Sequence, residues 1–254
     1  MLFSPCPFAF PRFILYSQAE VSMNKTAAAA ALSFGLMAMP ASAGAESGAV
    51  LTFYGRASVK IRTAAGIVIY IDPYRGDYSE PADLILVTHG HDDHNVVAKV
   101  AKKAGCAVAA PAGAVPGKAA TTITVAEGRE FEAAGVRVLP VAAYNKNHGR
   151  GESVGYVLAI GSLVLYHSGD TSRIPEMSEL AARKIDWALF CTDGFWNMGP
   201  AEAAECARIV GAKHSVPIHS SPSGLAKADN AQAFAKAAPG GVVVEVGASI
   251  PLEP

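Results

Sequence analysis

Within the run His89-Gly90-His91-Asp92-Asp93-His94, three of the chain's seven histidines fall within six positions beside two carboxylates. Imidazole and carboxylate together suit a borderline divalent ion such as zinc. The single residue between His89 and His91 lets both rings point to one side of an extended turn. Asp93 and His94 can then turn toward a second ion. A solvated polar turn that is histidine-rich by accident explains that density poorly. Three further candidates are scattered. His148 stands among loop-type residues (Asn147, Gly149, Arg150) and is either a surface histidine or a ligand. Asp170, between Gly169 and Thr171, is either a turn cap or a ligand. His219 ends an apolar stretch, a natural place for a ligand at the end of a strand. His167 and His214 read as packed or supporting residues, Asp72 as an orienting partner for a ligand histidine, and Asp92 as solvated. Asp193, Trp196 and Tyr144 are candidates for the mouth of a pocket.

Those residues need a frame. Leu51 to Tyr54, Ser58 to Arg62 and Ile67 to Ile71 read as a meander of short strands. Asp83 to Thr88 holds a continuous apolar run, as a strand buried on both faces should. Val96 to Ala104 reads as a helix capped by Asn95. Strands follow at Ala107 to Ala110, Thr122 to Val125, Glu130 to Glu132 and Val136 to Val141. Val154 to Ile160 and Leu163 to His167 form a hairpin over Gly161-Ser162. Ile174 to Arg183 is helical and Trp187 to Cys191 is a strand. Pro200 opens a helix that runs to about Val210. Ser215 to Ile218 is a strand, Ala228 to Ala237 a helix, and Val242 to Val246 a last strand. The histidine run, Asp170 and His219 all follow strands. No Pro/Gly/Ser-rich linker divides the two strand-and-helix blocks, so layered sheets with helices outside, sharing one core, satisfy the pattern.

The string H-x-H-x-D-H resembles the metallo-β-lactamase superfamily, and later family elements occur in order. They are His148 after a strand, Tyr166-His167-Ser168-Gly169-Asp170-Thr171, and Val216-Pro217-Ile218-His219, with Ile71-Asp72-Pro73 upstream. The resemblance covers roughly residues 50 to 254. Within the superfamily the chain is most similar to the ascorbate-6-phosphate lactonase-like group of small hydrolases, through the Gly-Asp turn, Asn197-Met198-Gly199-Pro200-Ala201-Glu202-Ala203-Ala204 and Pro217-Ile218-His219. The step Asp193-Gly194-Phe195-Trp196 and Ser220 depart from the relatives' pattern and bear on the substrate pocket. The resemblance implies a four-layer αββα sandwich of the α/β class. It implies two divalent ions, zinc in the first place and manganese or iron as alternatives. One ion would take His89, His91 and His148, and the other Asp93, His94 and His219, with Asp170 as a bridge. Asp93 and Asp170 would carry the catalytic chemistry. The implied activity is hydrolysis of an ester, lactone or phosphodiester by a metal-bridging hydroxide. The alternatives are hydrolysis of a β-lactam amide, or metal binding without catalysis. An Asp at position 170, where the best-known β-lactamases carry Cys, points to the first.

Composition narrows the partners. With 21 Lys+Arg against 22 Asp+Glu and 51% apolar residues, the chain is neither a polycation nor a disordered polymer. No basic run offers a nucleic-acid footprint. The expected partner is a small-molecule substrate. Residues 23–43 read as a secretory signal peptide, with Lys25, an apolar stretch from Ala27 to Met39, and an A-x-A site at Ala41-Ser42-Ala43. Residues 1–22 read as an upstream extension from a misassigned start. The mature chain, a single domain over 44–254, is then expected in the periplasm or secreted, with no stable membrane anchor. Cys106, Cys191 and Cys206 remain in it, an odd count that argues against a disulfide framework.

Overall fold

The computed structural model describes residues 48–117, 121–220 and 229–254, so the leader segments at 1–22 and 23–43 lie outside the described residues. Thirteen strands are described: β1 (Ala49–Gly55), β2 (Ser58–Thr63), β3 (Val68–Ile71), β4 (Ala82–Leu86), β5 (Lys102–Ala110), β6 (Ile123–Thr124), β7 (Phe131–Ala133), β8 (Val136–Ala142), β9 (Val154–Ile160), β10 (Leu163–His167), β11 (Trp187–Cys191), β12 (His214–Ile218) and β13 (Ser249–Leu252). Two α-helices join them, α1 (Pro200–Val210) and α2 (Asp229–Ala237). The strands form two mixed sheets, ordered β13-β1-β2-β3-β4-β5-β6 and β12-β11-β10-β9-β8-β7. Strands β3 to β6 run parallel, as do β10 to β12.

The main core lies between the sheets, where Leu51, Ile61 and Leu84 of the first meet Leu158, Leu165 and Leu189 of the second. Truncating a side chain buried there, such as Leu189→Ala, removes about 2–5 kcal/mol by lost transfer energy and an unfilled cavity. The outer face of the second sheet presents Tyr166, Ala188 and Phe190 to α1, α2 and a 3-10 helix over Pro175–Arg183. The outer face of the first presents Tyr70, Ile85 and Val108 to Tyr78, Val97 and Val100. Both sheets are thus covered on both faces, and β3 and β11 are apolar at every position for that reason. This is the αββα sandwich expected from the sequence. Its first outer layer is thin, because the helix expected over Val96–Ala104 shrinks to a single 3-10 turn, Val97–Lys99. The Asn95 amide that should cap it donates instead to the carbonyls of Gly90 and Ala114. The Lys102 ammonium closes the turn on the carbonyls of Val97 and Val100, and β5 starts there rather than at Ala107.

The last strand also differs from expectation. Val242–Val246 makes one bridge-type bond, Val242 N–H to the Ser215 carbonyl, and then leaves the sheet. A turn at Gly247, with φ +87°, reverses the chain so that Ser249–Leu252 pairs antiparallel with β1. The final strand therefore closes the first sheet, not the second. The hairpin of β9 and β10, the 174–183 helical segment and α1 fall where the sequence puts them. In α1, Pro200 occupies the first turn and Gly211 ends it in a left-handed conformation, φ +72°.

Candidate metal centre

All seven ligand-type side chains gather at one rim of the sandwich, beyond the carboxyl ends of β4, β10 and β12 and in the loop after β8. Parallel strands end in unpaired backbone at that edge, which is where open α/β sheets place their ligands. Three sets of donor atoms converge, each within 4.8 Å of one another: His89, His91 and His148; His89, His94 and Asp170; and Asp93, His94 and His219. These sets could hold a metal ion.

Proton bookkeeping on the rings explains the convergence. Asp72, buried at the end of β3, accepts from the Thr88 N–H at 2.7 Å and the Thr88 hydroxyl at 2.7 Å, and its Oδ2 stands 2.8 Å from His94 Nδ1. Thr88 Oγ1, its proton given to Asp72, accepts from His89 Nδ1 at 2.9 Å. His148 Nδ1 donates to Asn145 Oδ1 at 3.0 Å, and His219 Nδ1 lies 3.2 Å from Asp193 Oδ2. In each case the outer nitrogen holds one proton, so Nε2, which faces inward, is the nitrogen left to offer a lone pair once the ring is uncharged. His89 Nε2 and His148 Nε2 both stand 3.2 Å from His91 Nδ1. His91 Nδ1 can donate a proton to one of these lone pairs at most, so the other is left unsatisfied unless a cation lies among them.

The second half shows the same lack. His94 Nε2 and Asp170 Oδ1 are buried, lie 3.7 Å apart, and find no hydrogen-bond partner among the described residues. An orphaned buried carboxylate oxygen costs roughly 1–3 kcal/mol or more, and coordination to a cation removes that cost. His219 Nε2 faces Asp93 Oδ2 at 3.5 Å and Asp170 Oδ2 at 3.6 Å, again beyond good hydrogen-bond length. The electrostatics divide accordingly. Burial holds His89 well below its ordinary pKa, and the neighbouring imidazoles add to this. Burial also lowers His148. His219 moves to about 10, because the Asp170 and Asp193 carboxylates outweigh its burial. His94 is raised by Asp170 and Asp72 against the same penalty. Asp170 is lowered, its burial being outweighed by His219 and His94.

A model of the beta-lactamase superfamily domain matches residues 50–219, a stretch that holds all of these side chains. The chain belongs to the metallo-β-lactamase superfamily of hydrolases. A UPF0173 metal-dependent hydrolase of Myxococcus xanthus is 35% identical over 193 residues, covering 66% of this chain and 69% of that protein. A solved structure from Parabacteroides distasonis, described as a metal-dependent hydrolase, aligns with TM-score 0.65 at 27% identity over 77% of this chain and 91% of that one. A metallo hydrolase of Ignicoccus hospitalis aligns with TM-score 0.67 at 20% identity over 81% and 99% of the two chains, which speaks for the shared fold.

Around these converging side chains, several further residues stand where the sequence places them. Asp92 is exposed. Asp72 orients His94. His167 is packed and fixed, donating from Nε2 to the Ala57 carbonyl at 2.9 Å while its Nδ1 accepts from the Gly169 N–H. His214 stacks on Trp187 with ring centroids 4.4 Å apart. Trp196 lines a cleft of about 480 Å³ that opens onto His91, Asp93, His148, Asp170 and His219.

Two mouth candidates are corrected. Asp193 is buried: its Oδ1 accepts from the N–H groups of Phe195, Trp196 and Asn197, and its Oδ2 backs His219. Its place before Gly194 makes it a turn-capping carboxylate turned inward. Tyr144 points away from the cleft and donates its hydroxyl to Glu176 Oε2 at 3.0 Å, with the Arg150 guanidinium 5.6 Å above its ring. Three residues went unrecognised as parts of the centre. Asn145 holds His148. Asn197 donates to Asp170 Oδ2 and Asp193 Oδ2, both at 2.8 Å, and accepts from Asn145 at 2.7 Å. Arg56 lines the cleft. Only Asn197 carried a signal, as the first residue of the Asn-Met-Gly-Pro string.

Proposed function

We propose that this hydrolase is binuclear and cleaves an ester, lactone or phosphodiester bond in a small molecule. His89, His91 and His148 would hold one divalent ion, Asp93, His94 and His219 the other, and Asp170 would serve both. The observation that carries this is the facing pair of buried, unpartnered atoms, His94 Nε2 and Asp170 Oδ1, which links the two donor sets. When bound, two such ions supply a water of lowered pKa as nucleophile and polarise the bond to be cut. Zinc suits the His/Asp donors best, with manganese or iron next.

The chain's own residues do the rest. Asp72, Thr88, Asn145 and Asp193 hold one proton on each outer ring nitrogen, so the inner nitrogens are the ones that would bind an ion, those of His94 and His219 after giving up a proton. Asp170 balances charge between the two donor sets and is itself steadied by Asn197. Asp93, half-buried in the cleft wall, presents a carboxylate that can accept the proton of an attacking water. His91, exposed at the rim, lies on the path by which water and substrate enter.

The test is elemental analysis of metal-loaded protein together with turnover of a chromogenic phosphodiester, a lactone and a carboxylic ester. Close to two ions per chain with turnover of at least one substrate is expected. One ion or none after reconstitution overturns the binuclear assignment, and two ions without turnover favour a metal-binding protein with no catalysis. We also propose that the enzyme works in the periplasm or outside the cell, from Gly44 onward. N-terminal sequencing from the native host checks this, and cytoplasmic protein retaining Met23 sinks it.

A further inference from the structure

Phe195 and Trp196 are the exposed phenylalanine and tryptophan side chains among the described residues, at 59% and 48%, and they are neighbours in the chain. Large apolar rings left in water are the informative exception to burial, because such patches mark binding surfaces. Looseness of the segment does not account for them. Asp193 Oδ1 accepts the N–H groups of Phe195 at 2.8 Å, Trp196 at 2.6 Å and Asn197 at 3.2 Å. The Gly194 N–H reaches the Met198 carbonyl at 3.0 Å, and the Trp196 carbonyl accepts from Asn147 Nδ2 at 2.8 Å. The two rings brace each other, with centroids 4.6 Å apart and planes at 87°.

The same bonds place Trp196 at the metal centre. Asp193, which takes its N–H, backs His219 through the other carboxylate oxygen. Asn147, which holds its carbonyl, directly precedes His148. Trp196 lines the cleft of about 480 Å³ together with both of those histidines. One indole is thereby tied to both donor sets. A fixed planar face loses little freedom when a ligand settles on it. It favours a flat ring over a chain, because offset stacking brings face onto face and adds electrostatic attraction to the buried area.

We propose that Trp196, braced by Phe195, is the specificity-determining residue of the cleft and stacks on a planar aromatic ring carried by the substrate. That the stacked molecule is a substrate rests on the hydrolase function proposed above. The stacking itself is a binding event and is read without turnover.

The experiment compares phenylacetate with cyclohexylacetate on the metal-loaded full chain by titration calorimetry. Both probes offer one carboxylate to the centre and one carbon ring to Trp196, but only the first ring is flat. The saturated ring is the more apolar, so burial alone favours cyclohexylacetate. Stacking predicts the opposite order. Phenylacetate is expected to bind wild type at least about fivefold more tightly, the scale of an aromatic pair beyond its buried area. Trp196→Leu keeps an apolar side chain without a flat face and should erase or reverse that order with metal content unchanged. Trp196→Phe should retain part of it. Equal binding of the two probes to wild type, or tighter binding of cyclohexylacetate, overturns the proposal. So does a Trp196→Leu protein that weakens both probes alike and keeps the wild-type order, which marks the residue as structural. Sedimentation with phosphatidylcholine vesicles tests the rival occupant. Wild type that shows no ring preference, yet sediments with vesicles only while Trp196 is intact, gives the indole to a lipid surface and overturns the proposal too. In a parallel arm, the trifluoroethyl esters of the two acids are compared for hydrolysis, and kcat/KM should follow the same order. A ring preference in binding with neither ester hydrolysed leaves the stacking site standing and counts against the hydrolase function instead.

Discussion

Around His89 and His148 the supporting groups are a hydroxyl and an amide, Thr88 and Asn145; around His94 and His219 they are carboxylates, Asp72 and Asp193. The titration behaviour follows that division. His89 and His148 are pushed below their ordinary pKa by burial, while His94 and His219 are raised by the carboxylates about them. One half of the centre is held neutral and ready for a cation. The other half holds protons that a cation must displace. On the two-ion assignment proposed above, a single rim contains two preparations for the same kind of ion, and what lies behind each imidazole decides which one it is.

Removing the group common to both halves should have the largest effect. Asp170→Asn keeps the size and turn-forming capacity of the residue but deletes its charge. A folded protein is expected, with reduced metal content and turnover at least about a hundredfold lower, the upper end of what lost partners of a metal site cost. Full occupancy with near-normal turnover would remove Asp170 from the centre.

Asp193→Asn should come next, because it gives the carboxylate-backed half the kind of backing found in the other. Competition against a chromophoric chelator should reveal one ion bound about ten- to a hundredfold more weakly, with the second little changed. Equal weakening of both would mean that the halves are not separable.

The contrast also has a pH signature. In metal-stripped protein the raised value of His219, about 10 against an ordinary 6.5, stabilises the fold fully below pH 6.5 and is lost as pH climbs through 10. The lowered values of His89 and His148 act oppositely and cost stability as pH falls below 6.5. Stripped protein should therefore lose Tm steadily between pH 6.5 and 10. With metal on His219 there is no proton to lose, so the Tm gap between loaded and stripped protein should widen across that window. Scanning calorimetry in both states checks this, and a flat gap would refute it.

The smallest effect marks the edge of the centre. Tyr144→Phe removes a hydroxyl that serves Glu176 on the outer surface, and turnover and metal content should change less than about twofold, the scale of a lost exposed hydrogen bond. A larger drop would return Tyr144 to the mouth.

The local sequence was informative where chemistry and spacing coincide. His89 to His94 reads as a metal-type cluster without any partner in view, and His219 reads as a strand-end ligand. Asp170 and His148 needed the whole ordered pattern, since a Gly-Asp turn or a loop histidine alone has an ordinary explanation. Asn145 and Arg56 were invisible, because nothing in a lone Asn or Arg says which sheet will fold over it. Asp193 was misplaced because a carboxylate before Gly-Phe-Trp looks like surface, whereas its three backbone hydrogen bonds draw it inside. The fold followed the same rule. Apolar runs located the strands of both sheets, but Val96–Ala104 failed as a helix once tertiary contacts claimed its cap. Val242–Val246 failed as a strand because a turn at Gly247 gave the sheet edge to the residues beyond it.

The His219 N–H bond to the Arg56 carbonyl ties the end of one sheet to the first turn of the other. The candidate donors straddle the same seam, with four following β4 and three following β8, β10 and β12. Ions held there would act as a clasp between two halves that meet only after long chain excursions have closed. The clasp would fasten late in folding and would have to open before the sheets could part, so that bound metal would lengthen the lifetime of the folded molecule by slowing its opening. Such slow opening would delay attack by proteases as well as loss of activity.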